Sequence, residues 1–119
     1  MYRIEFSIWL ASKTRWAQLT KVIECQTIPR IGEYMKFNNS EVGDYFSWEV
    51  SQITYHESGS IAVWTELLDN IDGRGYSFDT EAEFDEYYQS YLSEGWVSER
   101  GVGENKQYKV VSSGQVPPQ

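Results

Sequence analysis

Residues 78–96 read FDTEAEFDEYYQSYLSEGW, and the period of the chain changes there. Upstream, apolar residues alternate with polar ones, the spacing of a strand with one buried face. From Phe78 onward they recur every three or four positions, the spacing of a helix. Thr80 followed three residues later by Glu83 is a capping-box pattern, and Asp79, Glu81 and Glu83 lie where the positive end of a helix dipole favours acid. Gly95 suits a C-terminal cap. The pattern predicts a helix over about 80–94. That single switch of period makes the chain α+β rather than all-β.

On a wheel at 100° per residue, Phe84, Tyr87, Tyr88, Tyr91 and Leu92 fall within an arc of roughly 140°. Glu83, Asp85, Glu86 and Glu94 occupy the rest. The plain reading buries the aromatic stripe and leaves the acids in water. Three of the five stripe residues are tyrosines, however, and their hydroxyls need a partner or water. Tyr87, at the margin of the stripe, is therefore expected to be partly exposed beside Glu83 and Glu86. Acids next to a half-exposed ring suit protein binding, because carboxylates pair with Lys or Arg while the ring supplies rigid apolar area.

Working outward, YRIEFSIWL (2–10) alternates strictly, with Tyr2, Ile4, Phe6, Ile8 and Leu10 on one face and Trp9 on the polar one. WAQLTKVIECQTI (16–28) fits helix spacing almost as well as strand spacing. Its β-branched Thr20, Val22, Ile23, Thr27 and Ile28 favour a long, bulged strand paired with the first. Pro29 and Gly32 make IPRIGEYMKF a strand, a corner and a second strand. YFSWEVSQITYH (45–56) and IAVWTELL (61–68) form a hairpin through ESGS, which places Trp48 and Trp64 in the core. DNIDGRG (69–75) is a loop. WVSER and KQYKVV are expected to pair as a last hairpin around GVGEN, and residues 113–119 to form a disordered tail. The expected fold is one α+β domain over residues 1–112. Its sheet is antiparallel and strongly curved, up to a partial small β-barrel, and carries one main helix.

The chain has 119 residues, 40% hydrophobic and 16% aromatic, a composition that folds. No apolar run reaches the ~20 residues that span a membrane, and the alternating N-terminus does not read as a signal peptide. A cytoplasmic location is expected. The net charge of −8 is unevenly placed. Nine of the 18 acidic residues lie between Glu66 and Glu94, where Arg74 is the only base, and the rest of the chain is neutral overall. Such a segment repels nucleic acid and anionic membranes and attracts a cationic protein surface.

Catalytic and metal-binding constellations are weak. Cys25 and His56 are the only residues of their kind. Cys25 has no nearby group in sequence to activate it, and His56 has no nucleophile to serve. Crowded acids on one helix face lack the opposed carboxyls of a glycosidase. In a loop that counts Asp69 of DNIDGRG as its first residue the twelfth position is Thr80, which rules out an EF-hand, and GVGEN lacks the lysine of a phosphate loop. No catalytic residue, metal or cofactor is assigned. The partner-binding set is Asp69, Asp72, Glu83, Asp85, Glu86, Tyr87 and Glu94.

In size, charge placement and lack of catalytic groups, the chain resembles the immunity proteins of bacterial polymorphic and contact-dependent toxin systems. That resemblance implies an inhibitor that neutralises a basic toxin domain, such as a nuclease, in a 1:1 complex by covering its cationic surface. Two other classes stay open. One is a phage or mobile-element protein, either a small-barrel virion component or an inhibitor mimicking nucleic acid. The other is a small-molecule-binding domain.

Overall fold

The computed structural model describes residues 1–43, 46–67 and 75–106. Its strands are β1 (Tyr2–Ala11), β2 (Arg15–Cys25), β3 (Tyr34–Met35), β4 (Trp48–Tyr55), β5 (Ile61–Leu67) and β6 (Val102–Glu104), and its helix is α1 (Glu81–Ser93). The strands form one open sheet in the order β3-β4-β5-β1-β2-β6. No helix among the described residues is long and apolar enough to cross a membrane. The expected tail, 113–119, lies outside the described residues.

The alternating N-terminal segment is β1, and the ambiguous segment after it is a strand. β2 pairs antiparallel with β1 in unbroken register from Tyr2 opposite Cys25 to Ala11 opposite Trp16, without a bulge. The hairpin of β4 and β5 also forms, with a register shift between Val50 and Gln52. Its turn closes through His56 N–H to Ser60 O at 2.9 Å and Gly59 N–H to His56 O at 2.9 Å. Gly59, at φ +97, takes the left-handed backbone this turn requires.

Two expectations about the sheet are corrected. It is mixed rather than antiparallel, because β5 runs parallel to β1, with Ile4 opposite Ile61 and Ser7 opposite Trp64. The cause is the connection after β2. Residues 26–33 carry the chain to the far edge, where β3, β4 and β5 are laid down inward until β5 reaches the free side of β1. The last hairpin is also different. Val97 bridges Thr20, and Val102–Glu104 pairs antiparallel with Arg15–Ala17 of β2, so residues 97–104 run along β2 instead of folding on themselves. In GVGEN the residues expected to turn are strand β6; of the other arm, only Lys106 is described.

One face of the sheet holds the core. Ile4, Phe6, Ile8 and Leu10 of β1 are fully buried beside Ala17 and Leu19 of β2, Val63 of β5, and Trp48 and Val50 of β4. Phe37, Phe78, Phe84, Tyr91 and Trp96 close over them. The rings meet mostly edge to face, Phe37 with Trp96 at 5.0 Å and Trp48 with Tyr91 at 6.2 Å, the arrangement favoured by ring quadrupoles. Burial pushes the Tyr91 phenol up to about 12, so it stays neutral in the core. Trp48 is core, as the pattern implied. Trp64 is not: it alternates onto the opposite face of β5 and is half-exposed. Trp9 also lies on that face but is only 7% exposed, 6.5 Å from Trp16.

The helix begins and ends as its sequence requires. Thr80 Oγ1 accepts the Glu83 N–H at 3.1 Å, satisfying a free N-terminal donor. At the other end Trp96 N–H donates to Tyr91 O at 3.1 Å and Gly95 N–H to Leu92 O at 3.2 Å, the paired bonds of a Schellman motif. The Tyr91 and Trp96 rings pack 6.0 Å apart across it. Gly95 has φ +95, and a Cβ there would meet only Lys21 Cε at 3.8 Å. Replacing it is therefore a backbone cost without a clash. Gly95→Ala should destabilise by about 1–2 kcal/mol, read as a lower urea midpoint at unchanged m-value.

Candidate partner-binding surface

The helix wheel sorts as expected. Phe84 and Tyr91 are buried, Tyr87, Tyr88 and Leu92 are half-buried against the core, and Glu83, Asp85 and Glu86 are exposed. The acids do not form one equivalent set. Several are held by the protein's own donors.

Arg15, the first residue of β2, organises the N-terminal end. Its Nε donates to Glu81 Oε1 at 2.9 Å and its Nη1 to Asp85 Oδ1 at 2.7 Å. Nη2 reaches the Glu81 carbonyl at 3.1 Å, and the guanidinium lies 4.5 Å from the centre of the Phe84 ring. The same Glu81 oxygen accepts Thr14 Oγ1 at 2.7 Å and Ser12 Oγ at 2.9 Å. Ser12 Oγ in turn accepts the Arg15 N–H at 3.0 Å, which fixes the β1–β2 turn. Burial alone would push the Glu81 carboxyl up, but the bonds from Thr14, Arg15 and Ser12 outweigh it and hold it below the usual carboxylate range. The hydrogen bonds to Asp85 and then Glu81 push Arg15 up.

Glu94 closes the other end. Its Oε1 accepts Ser40 N–H at 2.6 Å and Ser40 Oγ at 2.5 Å, and these bonds hold it below its usual range. Its carbonyl accepts Lys21 Nζ at 2.7 Å, a cation placed at the negative end of the helix dipole. Asn39, buried beneath this turn, donates to Ser90 Oγ at 3.0 Å. Glu94 is therefore an anchor for residues 39–43 rather than a free acid.

Of the expected set, Glu83 and Glu86 are exposed and make no side-chain hydrogen bond or ion pair among the described residues. Asp85 is shared with Arg15 but keeps 60% of its side chain exposed. Tyr87 is half-buried, stacked on Phe78 at 4.9 Å and edge-on to Phe46 at 5.0 Å, one residue from Glu86 and one helical turn from Glu83. Asp69 and Asp72 lie outside the described residues. The free acidic ridge is thus Glu83 and Glu86, with Asp79 exposed before the first turn.

The opposite face of the sheet carries a second acidic feature that periodicity did not expose. Glu49 of β4 stands directly opposite Glu66 of β5, with Tyr34 beside Glu49 on β3 and Trp64 two residues before Glu66. Like charges directly across a strand pair destabilise it. The signal exists in the sequence only once the register is known. Compared with protein-family models, with curated proteins and with solved structures, the chain matches no family, no curated protein and no solved structure.

The Glu81 network makes a pH prediction. A carboxyl whose folded pKa is lowered stabilises the fold above its unfolded value of about 4.3 and loses that contribution as pH falls through the folded value. Because the Glu81 side chain is 45% exposed, its bonds are discounted for solvent. Glu81→Gln should cost about 1 kcal/mol at neutral pH. The gap from the parent protein should close as pH is lowered from about 5 towards 3, followed by urea midpoints at each pH.

Proposed function

We propose that this protein works in the cytosol by binding, not catalysis, as an acidic inhibitor of the immunity type that covers the cationic surface of a basic toxin domain. The observation that carries the reading is the division of the helix acids. Glu81 and Glu94 are satisfied inside the molecule and Asp85 is shared with Arg15, while Glu83 and Glu86, on the same helix beside the half-buried Tyr87, have no side-chain partner among the described residues. Unpaired carboxylates on a rigid element steer a basic partner and raise the association rate. The adjacent ring supplies apolar contact that slows dissociation. Cys25 is half-buried and burial pushes its thiol up, which favours the unreactive protonated form over a nucleophile.

The cross-strand pair Glu49 and Glu66 favours a second version of the same reading, in which the partner docks on the sheet face that α1 leaves uncovered. Two charge-reversed proteins separate the versions. The partner is first isolated by affinity capture from the native cells, and binding is then followed by stopped-flow mixing. With the helix ridge as the interface, Glu83→Lys with Glu86→Lys lowers the association rate constant by about tenfold or more at low salt. Stability should change by no more than about 0.5 kcal/mol. The parent rate should fall as salt rises. A basic partner in a 1:1 complex is required. An acidic partner, or one whose rate ignores the helix reversals but responds to Glu66→Lys, removes the helix from the interface.

A further inference from the structure

The two ends of the sheet are finished differently. On one side, β4 is interrupted by its register shift at Val50 and Gln52, and Val50 is tied down by Gly32 N–H to Val50 O at 2.9 Å and Val50 N–H to Glu33 O at 2.8 Å. A bulge of this kind twists an edge and discourages further pairing. On the other side, β6 covers β2 only over Arg15–Ala17, and Val97 adds a single bridge at Thr20. Among the described residues, no strand pairs with the outer edge of β2 from Lys21 to Cys25, although its inner edge stays in regular register with β1.

The direction of the free groups follows from that bridge. Thr20 N–H donates outward to Val97 O at 2.9 Å, and Val97 N–H returns to Thr20 O at 2.8 Å. Alternate residues of an antiparallel strand point the same way, so Val22 and Glu24 also direct N–H and C=O outward. Neither has a backbone partner on that side among the described residues. Val22 is 50% exposed.

A groove of about 260 Å³ runs beside this edge, lined by the apolar Ile23, Met35, Phe37 and Trp96 and by two cations, Lys21 and Lys36. A cavity of about 150 Å³ already accepts a benzene-sized group, so the groove has room for one large apolar side chain. In a chain of net charge −8, two lysines bordering one groove select against the basic partner that the helix acids would attract.

The geometry points to strand addition at this edge. The open edge of β2 at Val22–Glu24 receives an extended segment of a partner protein that carries an apolar side chain for the groove and, two residues away, an Asp or Glu for Lys21 or Lys36. The backbone of Val22 and Glu24 supplies affinity without regard to sequence. The groove and its lysines read the side chains, which at a two-residue spacing fall on the same face of the added strand. This inference does not depend on the acidic helix and uses the opposite charge.

The test uses the full-length protein and a pool of hexapeptides with Leu, Ile, Val or Phe at the third position and Asp or Glu at the fifth. Amide exchange is followed by NMR with and without the pool. Saturating peptide should slow exchange at Val22 and Glu24 by about tenfold or more, with amides of the β4 edge and of α1 unchanged. Lys36→Glu should weaken binding by about tenfold. Val22→Pro, which removes one outward donor at a position where an edge strand tolerates proline, should abolish it while the β1–β2 amide pattern persists. Should that variant fail to fold, the exchange measurement on the parent protein decides alone. No binding by the pool, or protection appearing elsewhere, overturns the inference. So does protection of Val22 and Glu24 without peptide in a protein that sediments as a dimer, since the edge would then belong to a second copy.

Discussion

The guanidinium of Arg15 ties the helix to the sheet, and the placement of every other residue on α1 follows from it. It holds Glu81 and Asp85 at 2.9 and 2.7 Å and lies 4.5 Å from the Phe84 ring centre, so one cation grips the first two turns. Lys21, six residues further along the same strand, holds the carbonyl at the helix end. Six strand residues cover about 20 Å and thirteen helical residues about 19 Å, so the two lysine and arginine contacts match the length of helix between them. With both ends fixed, the helix has one rotational setting. Phe84 and Tyr91 must face Trp48 and the β1 side chains, and Glu83 and Glu86 must face water.

That constraint divides acids which look alike in the sequence. Glu81 accepts three donors through one oxygen, and Glu94 holds the turn at Ser40. Their charge is spent on architecture: the first fastens the β1–β2 turn to the helix start, the second fastens residues 39–43 to its end. Glu83 and Glu86 hold nothing in place among the described residues. Exposed carboxylates without a partner among the described residues add little to folding and are available to the basic surface proposed above. The Glu49–Glu66 pair on the other face makes the same point more sharply, since opposed like charges cost stability.

What could be read from the sequence was local. The period of two in Tyr2–Leu10, the β-branched residues of β2, the Thr80–Glu83 cap and Gly95 each act through neighbours in the chain, and each element formed, although β2 ends at Cys25 rather than residue 28 and lacks the expected bulge. What could not be read was pairing at a distance. Nothing in IAVWTEL announces that β5 will lie parallel to β1, because a parallel neighbour imposes the same alternation as an antiparallel one. The segment after Trp96 has two apolar runs around glycines, which looks like a hairpin until β2 is known to have a free edge beside it. The Arg15 clamp was hidden for the same reason. Its carboxylates lie 66 and 70 residues away, and Arg15 itself opens a strand directly after a short polar turn. Within the expected binding set, sequence could name the acids but not tell those bound internally from those left free.

Carbodiimide labelling of carboxylates, free and in complex with the proposed basic partner, tests this division most directly. In the free protein Glu83 and Glu86 should react fast, while Glu81 and Glu94, engaged by Arg15, Ser12, Thr14 and Ser40, react slowly. In the complex Glu83 and Glu86 should become protected while the slow pair stays as it was. Equal reactivity of all four in the free protein would contradict the internal division, and unchanged labelling of Glu83 and Glu86 in the complex would contradict their role in binding.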